Sequence, residues 1–510
     1  MYQSARIASA ILVTSFLPVV ANATEPASVN IISTPDTSIE TFAQAELSPS
    51  PSQPSAGNQG SASGISTNPS NNTTQSLALR NIPLPTSGPP LTGLFPGVGQ
   101  TLLSNGIDIH GIAFDHFLAN PTAGNIIGRT YNLATIGLSA DLDLGTLFGI
   151  TGGNIHTTVS FFGLRSNIPP IILETGGFLT GFGTTPVPST SPVILSELTY
   201  EQKFLDGRLS IEAGRTNVYQ YFLLQNGLDF FSTFSSTFTI DGDFPVVPFP
   251  VWGGRATYHF TPKWYVQAGA FEDNYFRSAY NGNNFGITGA SGAQILGEVG
   301  YRSEFSNADY PANFELGAEG NTRSGVSNVK GGAVLATPFN QATAYPGGGL
   351  FFFQGEKVLW RGAKTPFGPP PNIALYGSVD ASFDKPQPID MDSVIGVNCT
   401  GFIPGRPFDA LGLQAHYQRL SAIEANYETQ TQNIFAGPGH SQPRDGYAFE
   451  VVGRIGVTPW LFLSPSVQYV VNPDNLFDPA QVRRPTDGFI ASVAAVIPLG
   501  FLLGTSNKPF

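Results

Sequence analysis

Charged residues recur in this chain at strand-like spacing, and several come as opposite pairs. Glu298 lies four residues before Arg302 and Glu450 four before Arg454, while Glu212, Arg255 and Asp380 stand singly and Arg215 lies just past its strand register. Such groups, held on one face of a water-filled passage, exchange hydrogen bonds with the hydroxyls of a solute and set up a transverse field. Nearby aromatic faces would add stacking against C–H surfaces. The other chemistry-bearing residues do not assemble into a reaction centre. His110, His116, His156, His259, His416 and His440 are scattered, with no H-E-x-x-H and no closely spaced ligand set. His110 and His116 with Asp108 and Asp115 match neither a helical i,i+4 pair nor a strand motif for a metal. Ser160 and His156 share a strand face by parity, but nothing else marks a hydrolase. Gly347-Gly348-Gly349 lacks the Lys-Ser/Thr and helix of a phosphate cradle. The single cysteine, Cys399, permits no internal disulfide and no Cys-based zinc site. No cofactor is expected.

Short strands must position the charged groups. In Leu209–Gly214, Leu209, Ile211 and Ala213 take one face and Ser210 and Glu212 the other. Ile295, Val299 and Tyr301 oppose Glu298 and Arg302; Phe314, Leu316 and Ala318 oppose Glu315 and Glu319. Leu375, Val379, Ala381 and Phe383 oppose Tyr376, Ser378 and Asp380; Phe449, Val451 and Ile455 oppose Glu450 and Arg454. Leu461, Leu463, Val467 and Tyr469 oppose Ser464, Ser466 and Gln468. Alternation of this kind is the mark of a strand with two unlike faces. Helical patterns are nearly absent.

Composition decides which face meets water. Of 510 residues only 12% are charged, against about a quarter in ordinary soluble proteins. With 39 Phe and 17 Tyr the chain must bury apolar surface somewhere. A soluble sandwich would turn the apolar face inward; a transmembrane barrel turns it to lipid and the polar face to a lumen. The polar positions hold Ser, Thr, Asn, Gln and isolated charges rather than dense Lys and Glu. Aromatics gather at turns, as with Trp252, Phe260 and Trp264 around Thr261-Pro262-Lys263 and Trp460 after Thr458-Pro459, as in an interfacial girdle. These features favour the barrel. The apolar run Phe489–Leu503 is too short for a helical span of about 20 residues and contains Pro498 and Gly500. It reads as the last strand, ending at Phe501 or at Phe510.

The N-terminus adds export. Met1–Arg6, the apolar stretch Ile7–Val20 and Ala21-Asn22-Ala23 read as a signal peptide over residues 1–23. Residues 24–94, rich in Ser, Pro, Gly and Asn, read as a disordered leader that cannot offset its ordering entropy by burial. Residues 95–510 remain for the barrel. At roughly 10 residues per strand plus turns, they suffice for about 16 strands, a circumference that leaves an aqueous channel. The fold class is therefore all-β, a transmembrane antiparallel barrel of about 16 strands. The net charge of −12 argues against nucleic acid. From Arg80 onward 23 basic residues face 32 acidic ones, which argues against an anion pore ringed by Lys and Arg.

Three segments then resemble the carbohydrate-selective outer-membrane porins, the OprB family: LSIEAGRTN from Leu209 to Asn217, GRATYHFTPKWYVQAGAFEDN from Gly254 to Asn274, and GYAFEVVGRIGVTPWLFLSPSVQYVVNP from Gly446 to Pro473. The recurrent Thr-Pro turn followed by Trp and the strand P-x-x-Q-Y-x-x-N-P carry the similarity, over roughly residues 95 to 504. The resemblance implies a non-enzymatic 16-stranded pore in the outer membrane of a Gram-negative cell. It implies passive uptake of glucose, related sugars and small oligosaccharides. The implied partners are outer-membrane lipid and the assembly machinery, with the barrel a monomer or homotrimer. Glu212, Arg215, Arg255, Glu298, Arg302, Asp380, Glu450 and Arg454 are the expected pore-lining residues. A secreted β-rich sugar-binding or adhesive protein is the alternative, and an outer-membrane enzyme ranks third.

Overall fold

The computed structural model describes residues 91, 93–161, 193–218, 221–222, 250–273, 285, 292–322, 325–327, 343–345, 348–363, 369–383, 388–476 and 480–506. The signal peptide and nearly all of the leader lie outside them. Sixteen strands close into one antiparallel barrel: β1 (Ile107–Asn120), β2 (Arg129–Asp143), β3 (Gly153–Phe161), β4 (Val193–Phe204), β5 (Leu209–Thr216), β6 (Val251–His259), β7 (Trp264–Asp273), β8 (Gly292–Arg302), β9 (Ala312–Asn321), β12 (Gly349–Arg361), β13 (Asn372–Ser382), β14 (Ile389–Thr400), β15 (Ala410–Leu420), β16 (Asp445–Thr458), β17 (Leu461–Val471) and β18 (Gly488–Pro498). Each pairs with its sequence neighbour, and β1 meets β18 to close the ring. A separate hairpin, β10 (Gly325–Ser327) with β11 (Thr343–Tyr345), belongs to the β9–β12 connection. Closure leaves no edge strand in the barrel, the requirement for a sheet in hydrocarbon.

Burial follows the alternation. In β17, Val467 and Tyr469 are 50% and 39% exposed on the outer face, while Ser466 and Gln468 are 4% and 0% exposed on the inner one. Ile295 and Val299 point outward and Glu298 inward, as their spacing requires. One end of the barrel carries short turns, Leu205–Arg208 and Phe260–Lys263 among them, and the other carries the longer connections. In outer-membrane barrels the short turns are periplasmic and the longer loops extracellular. Phe260 and Trp264 are half-exposed at their turn, and the Trp264 ring meets Tyr301 with centroids 5.1 Å apart.

The structure corrects two expectations. The run Phe489–Leu503 is not all strand: β18 stops at Pro498, and Leu499–Leu503 turns into a short helix capped by Gly504 at φ +73°. Periodicity cannot separate a strand from a buried helical turn in so apolar a run, and Pro498 has no N–H to continue a ladder. Phe501 therefore lies in that helix and ends no strand, while Phe510 lies outside the described residues. Helices are also more frequent than the sequence suggested. We number them α1 (Pro96–Ser104), α2 (Leu144–Phe148), α3 (Ala422–Phe435) and α4 (Leu499–Leu503). α3 opens on an N-cap serine visible in the sequence: Ser421 Oγ accepts from the Glu424 N–H at 3.1 Å, while the Ser421 N–H donates to the Pro388 carbonyl at 2.8 Å.

Candidate functional site: a hydrogen-bonded belt on the inner wall

Inward-facing residues of β4 through β12 join into one continuous belt. Glu212 of β5 and Arg255 of β6 are directly opposed in register, which places their side chains about 5 Å apart at the Cβ atoms. Arg255 Nη2 lies 3.1 Å from Glu212 Oε2 and its Nη1 donates to Thr257 Oγ1 at 3.0 Å. Glu212, 1% exposed, also accepts at Oε1 from Thr199 Oγ1 at 2.7 Å and Tyr221 Oη at 2.9 Å. Gln267 of β7 carries the network on: its Nε2 donates to Glu298 Oε1 at 2.7 Å and its Oε1 accepts from Thr257. The Tyr265 hydroxyl sits between Glu298 and Glu315, 3.1 and 2.9 Å away. Glu315 accepts from Gln354 of β12, and Arg302 Nη2 stands 3.7 Å from it. Tyr265 reaches both carboxylates because it lies flat over Gly300, where an added Cβ would come within 2.2 Å of the ring.

Tyr221 does not belong to the wall. After β5, Val218, Tyr221 and Phe222 lie inside the barrel, with the Tyr221 and Phe222 N–H groups donating to the Val218 carbonyl. The Arg255 guanidinium lies 4.5 Å from the Tyr221 ring centroid, a cation–π contact, and Gln267 Nε2 donates to the Tyr221 carbonyl at 2.7 Å. Tyr221 stacks on Phe271 at 6.0 Å. Val218, Tyr221 and Phe222 form a buried cluster with the inward-facing Phe271, Leu296, Leu350 and Phe352. An inner wall that is locally apolar thus seats a turn whose polar edge meets the Glu212–Arg255 pair.

The opposite wall carries a second, separate set. Glu450 accepts from Gln414 Nε2 at 2.7 Å, and Gln414 in turn accepts from Tyr376. Asp380 is directly opposed to Asp392, and Asp392 is hydrogen-bonded to His416 at 2.6 Å. Arg454 donates through Nε to the Phe408 carbonyl at 3.0 Å. On β2 to β4, His156 Nδ1 lies 2.7 Å from Asp141 and its Nε2 3.5 Å from Glu201, whereas Ser160 accepts from Ser196 and has no link to His156.

Of the eight expected pore-lining residues, the structure brings Glu212, Arg255, Glu298 and Arg302 into one network. Asp380, Glu450 and Arg454 face inward on the far side. Arg215 joins neither. It is cross-strand to Leu198 and Trp252, the outward row, pairs with Glu272 at 3.7 Å and donates to the Pro250 carbonyl at 2.7 Å. Its odd parity relative to Glu212 explains the difference: a step of three residues along a strand changes face. Sequence reasoning missed Tyr221, which no period marks, and Tyr265, Gln267 and Gln354, whose neutral side chains gave no charge signal.

At the end bearing the longer connections, α3 turns a polar face inward among the loops. Glu428 Oε2 accepts from the Asn475 N–H at 2.8 Å, and burial raises its carboxyl well above the ordinary range. Burial, with Asp474 beside it, pushes Glu424 up to about 8. Among the described residues no group of three or more His, Cys, Asp or Glu is arranged to hold a metal ion.

Residues 131–493 match the family model described as "Carbohydrate-selective porin, OprB family". Porin B of Pseudomonas aeruginosa is 24% identical over 305 residues, which cover 55% of this chain and 63% of Porin B, under two thirds of its length. The high-pH structure of Pseudomonas putida OprB superimposes with a TM-score of 0.64 at 18% identity, covering 79% of this chain and 96% of that one. At that identity the likeness shows the fold, and it shows the same kind of barrel.

Proposed function

The chain belongs to the carbohydrate-selective porin family, OprB, and from that premise we propose that its barrel is a water-filled outer-membrane channel through which sugars such as glucose diffuse passively. The observation that carries this reading is the belt at Glu212, Arg255, Gln267, Glu298 and Glu315, with the Tyr221 ring laid against Arg255. A sugar leaving bulk water gives up hydrogen bonds from its hydroxyls. Arg255 and Arg302, the more accessible members of the belt, donate to hydroxyl oxygens in place of water at little net cost, because each bond exchanged is nearly neutral in free energy. The nearly buried Glu212, Glu298 and Glu315 hold the wall in place and set its charge. Weak, multiple and degenerate contacts also let the solute leave, which a conducting pathway requires.

The transverse field between Glu212 and Arg255 orients water and disfavours solutes without hydroxyls to exchange. Arg302 extends the charged wall on this side, and Asp380, Glu450 and Arg454 line the path on the other. Arg215 anchors the rim through Pro250 and touches no solute. Mono- and small oligosaccharides are the cargo, and outer-membrane lipid, reached with the assembly machinery, surrounds the barrel. Each barrel is one channel whether it stands alone or in a homotrimer. Liposomes holding the purified full chain test the reading. Swelling is expected to be faster in isosmotic glucose than in an uncharged amino acid of similar size. Equal swelling in sugars, amino acids and salts would remove the selectivity, and no swelling would remove the channel.

A further inference from the structure

Charge is unevenly spread round the inner wall. β17 (LFLSPSVQYVV) and β18 (GFIASVAAVIP) carry no Asp, Glu, Lys or Arg. Near the periplasmic end their inward rows become apolar. Val496 of β18 is directly opposed to Phe462 of β17 on one side and to Phe114 of β1 on the other. Phe462, Ala494 and Val496 are buried as one cluster, and Ile112, Phe114 and Phe408 pack against it while staying partly exposed. Phe114 has the parity of His116 and Leu118, which face inward, so the exposed part of its ring borders the lumen. This patch lies across the barrel from the charged belt: β18 stands eight strands from β8 in either direction round the ring. At the same end, β8 finishes on Arg302, whose side chain is 34% exposed. The lumen therefore has a charged side and an aromatic side.

Lipid does not reach the inner wall, and a charge-free surface offers an ion no counter-charge. An apolar patch bordering a water column instead suits a solute with one apolar face. A pyranose is such a solute, with hydroxyls round its edge and C–H groups across its face. We propose that Phe114 is a specificity-determining residue of the channel, its ring a platform on which the C–H face of a pyranose stacks while the hydroxyls stay in the lumen water. The buried Ala494 and Val496 behind the ring hold it in place, so little ordering is left for the solute to induce. Removing about 40 Å² of apolar surface from water raises the local concentration of the solute roughly fivefold. That is enough to favour entry and weak enough to permit release. This role rests on the reading of the barrel as a sugar channel and specifies what is recognised: a flat ring rather than a number of hydroxyls.

The test compares glucose with sorbitol, an open chain of nearly the same size that has no ring face, in swelling of liposomes holding the full chain. The native chain is expected to admit glucose roughly fivefold faster than sorbitol. Phe114→Ala and Phe114→Leu bring the two rates towards equality, and Phe114→Trp keeps them apart; the ratio cancels changes in lumen width and in the amount of protein inserted. Equal entry of both solutes through the native chain, as when another part of the chain covers the ring, overturns the proposal. So does an F114L chain with the native ratio. Either result leaves the channel standing, whereas failure of glucose to enter removes the channel and the platform with it. Should F114A and F114L fail to fold, the purified F114W chain in detergent decides. Tryptophan emission that responds to glucose more than in the native chain, and not to sorbitol, supports the platform; an equal response to both, or no added response, overturns it.

Discussion

Removing the Tyr221 side chain is the sharpest perturbation of the belt. The residue is 2% exposed, and its ring is held between Arg255 at 4.5 Å and Phe271 at 6.0 Å. Truncating a buried aromatic to Ala costs about 3–5 kcal/mol. A loss of about 4 kcal/mol shifts the seated turn toward the unseated one by roughly 10³. Tyr221→Phe keeps the ring and loses only the hydroxyl, which donates to Glu212 and accepts from Thr216 at 2.8 Å. That deletion costs about 1–2 kcal/mol, on the order of tenfold. Single-channel recording in planar bilayers reads the result. Y221A is expected to raise conductance and to admit a disaccharide nearly as fast as glucose in parallel swelling assays; Y221F stays near the native level. If Y221A conducts and discriminates as the native chain does, Tyr221 does not bound the water column, and its place in the mechanism is wrong.

Three further outcomes follow from the same geometry. Glu212→Gln leaves Arg255 without its counter-charge; a unit charge about 7 Å from a passing ion in water is worth about 0.6 kcal/mol of attraction to a cation and as much repulsion of an anion, so the cation-to-anion permeability ratio should fall roughly sevenfold, read as a reversal-potential shift in a KCl gradient. Gly300→Val pushes the Tyr265 ring off its seat and should cost about 1–3 kcal/mol by overpacking, seen as a lower temperature for the heat-induced gel shift; an unchanged transition would contradict the assigned contact. At the outer end, Glu424 sits near pKa 8 instead of its ordinary 4.5, so the folded state holds more protons than the unfolded one between those values. Seating of α3 is then strongest on the acid side and weakens as pH rises through that window. Hydrogen exchange in residues 422–435, corrected for intrinsic rates, should show protection falling from pH 5 to pH 9 and a flatter profile in Glu424→Gln; protection that rises with pH would refute it.

Much of the barrel was legible because period-two alternation is a local property. Leu316 between Glu315 and Gly317, or Val467 between Ser466 and Gln468, reveals its face without knowledge of the partner strand. The low charge content then chose lipid over water for the apolar side. Legibility failed where three-dimensional context overrides the local pattern. The sequence Leu350–Phe353 is apolar on both faces because Leu350 and Phe352 pack inside the barrel under Val218 and Phe222, while Phe351 and Phe353 face outward. The inward placement of Val218, Tyr221 and Phe222 has no periodic signature, so Tyr221 could not be placed opposite Arg255. Arg215 was drawn toward the lumen by its charge and sequence proximity to Glu212, when parity alone assigns it to the other face.

The central claim is that the polar rows border water and the apolar rows border lipid. With Cys399 replaced by Ser, single cysteines at the half-buried, inward-facing Thr158 and Ser378 and at the outward-facing Val299 and Val467 can be challenged with a charged, membrane-impermeant thiol reagent in proteoliposomes. The account predicts rapid labelling and reduced conductance at positions 158 and 378, and no labelling at 299 and 467 until the bilayer is dissolved. Labelling at 299 and 467 with protection at 158 and 378 would contradict it.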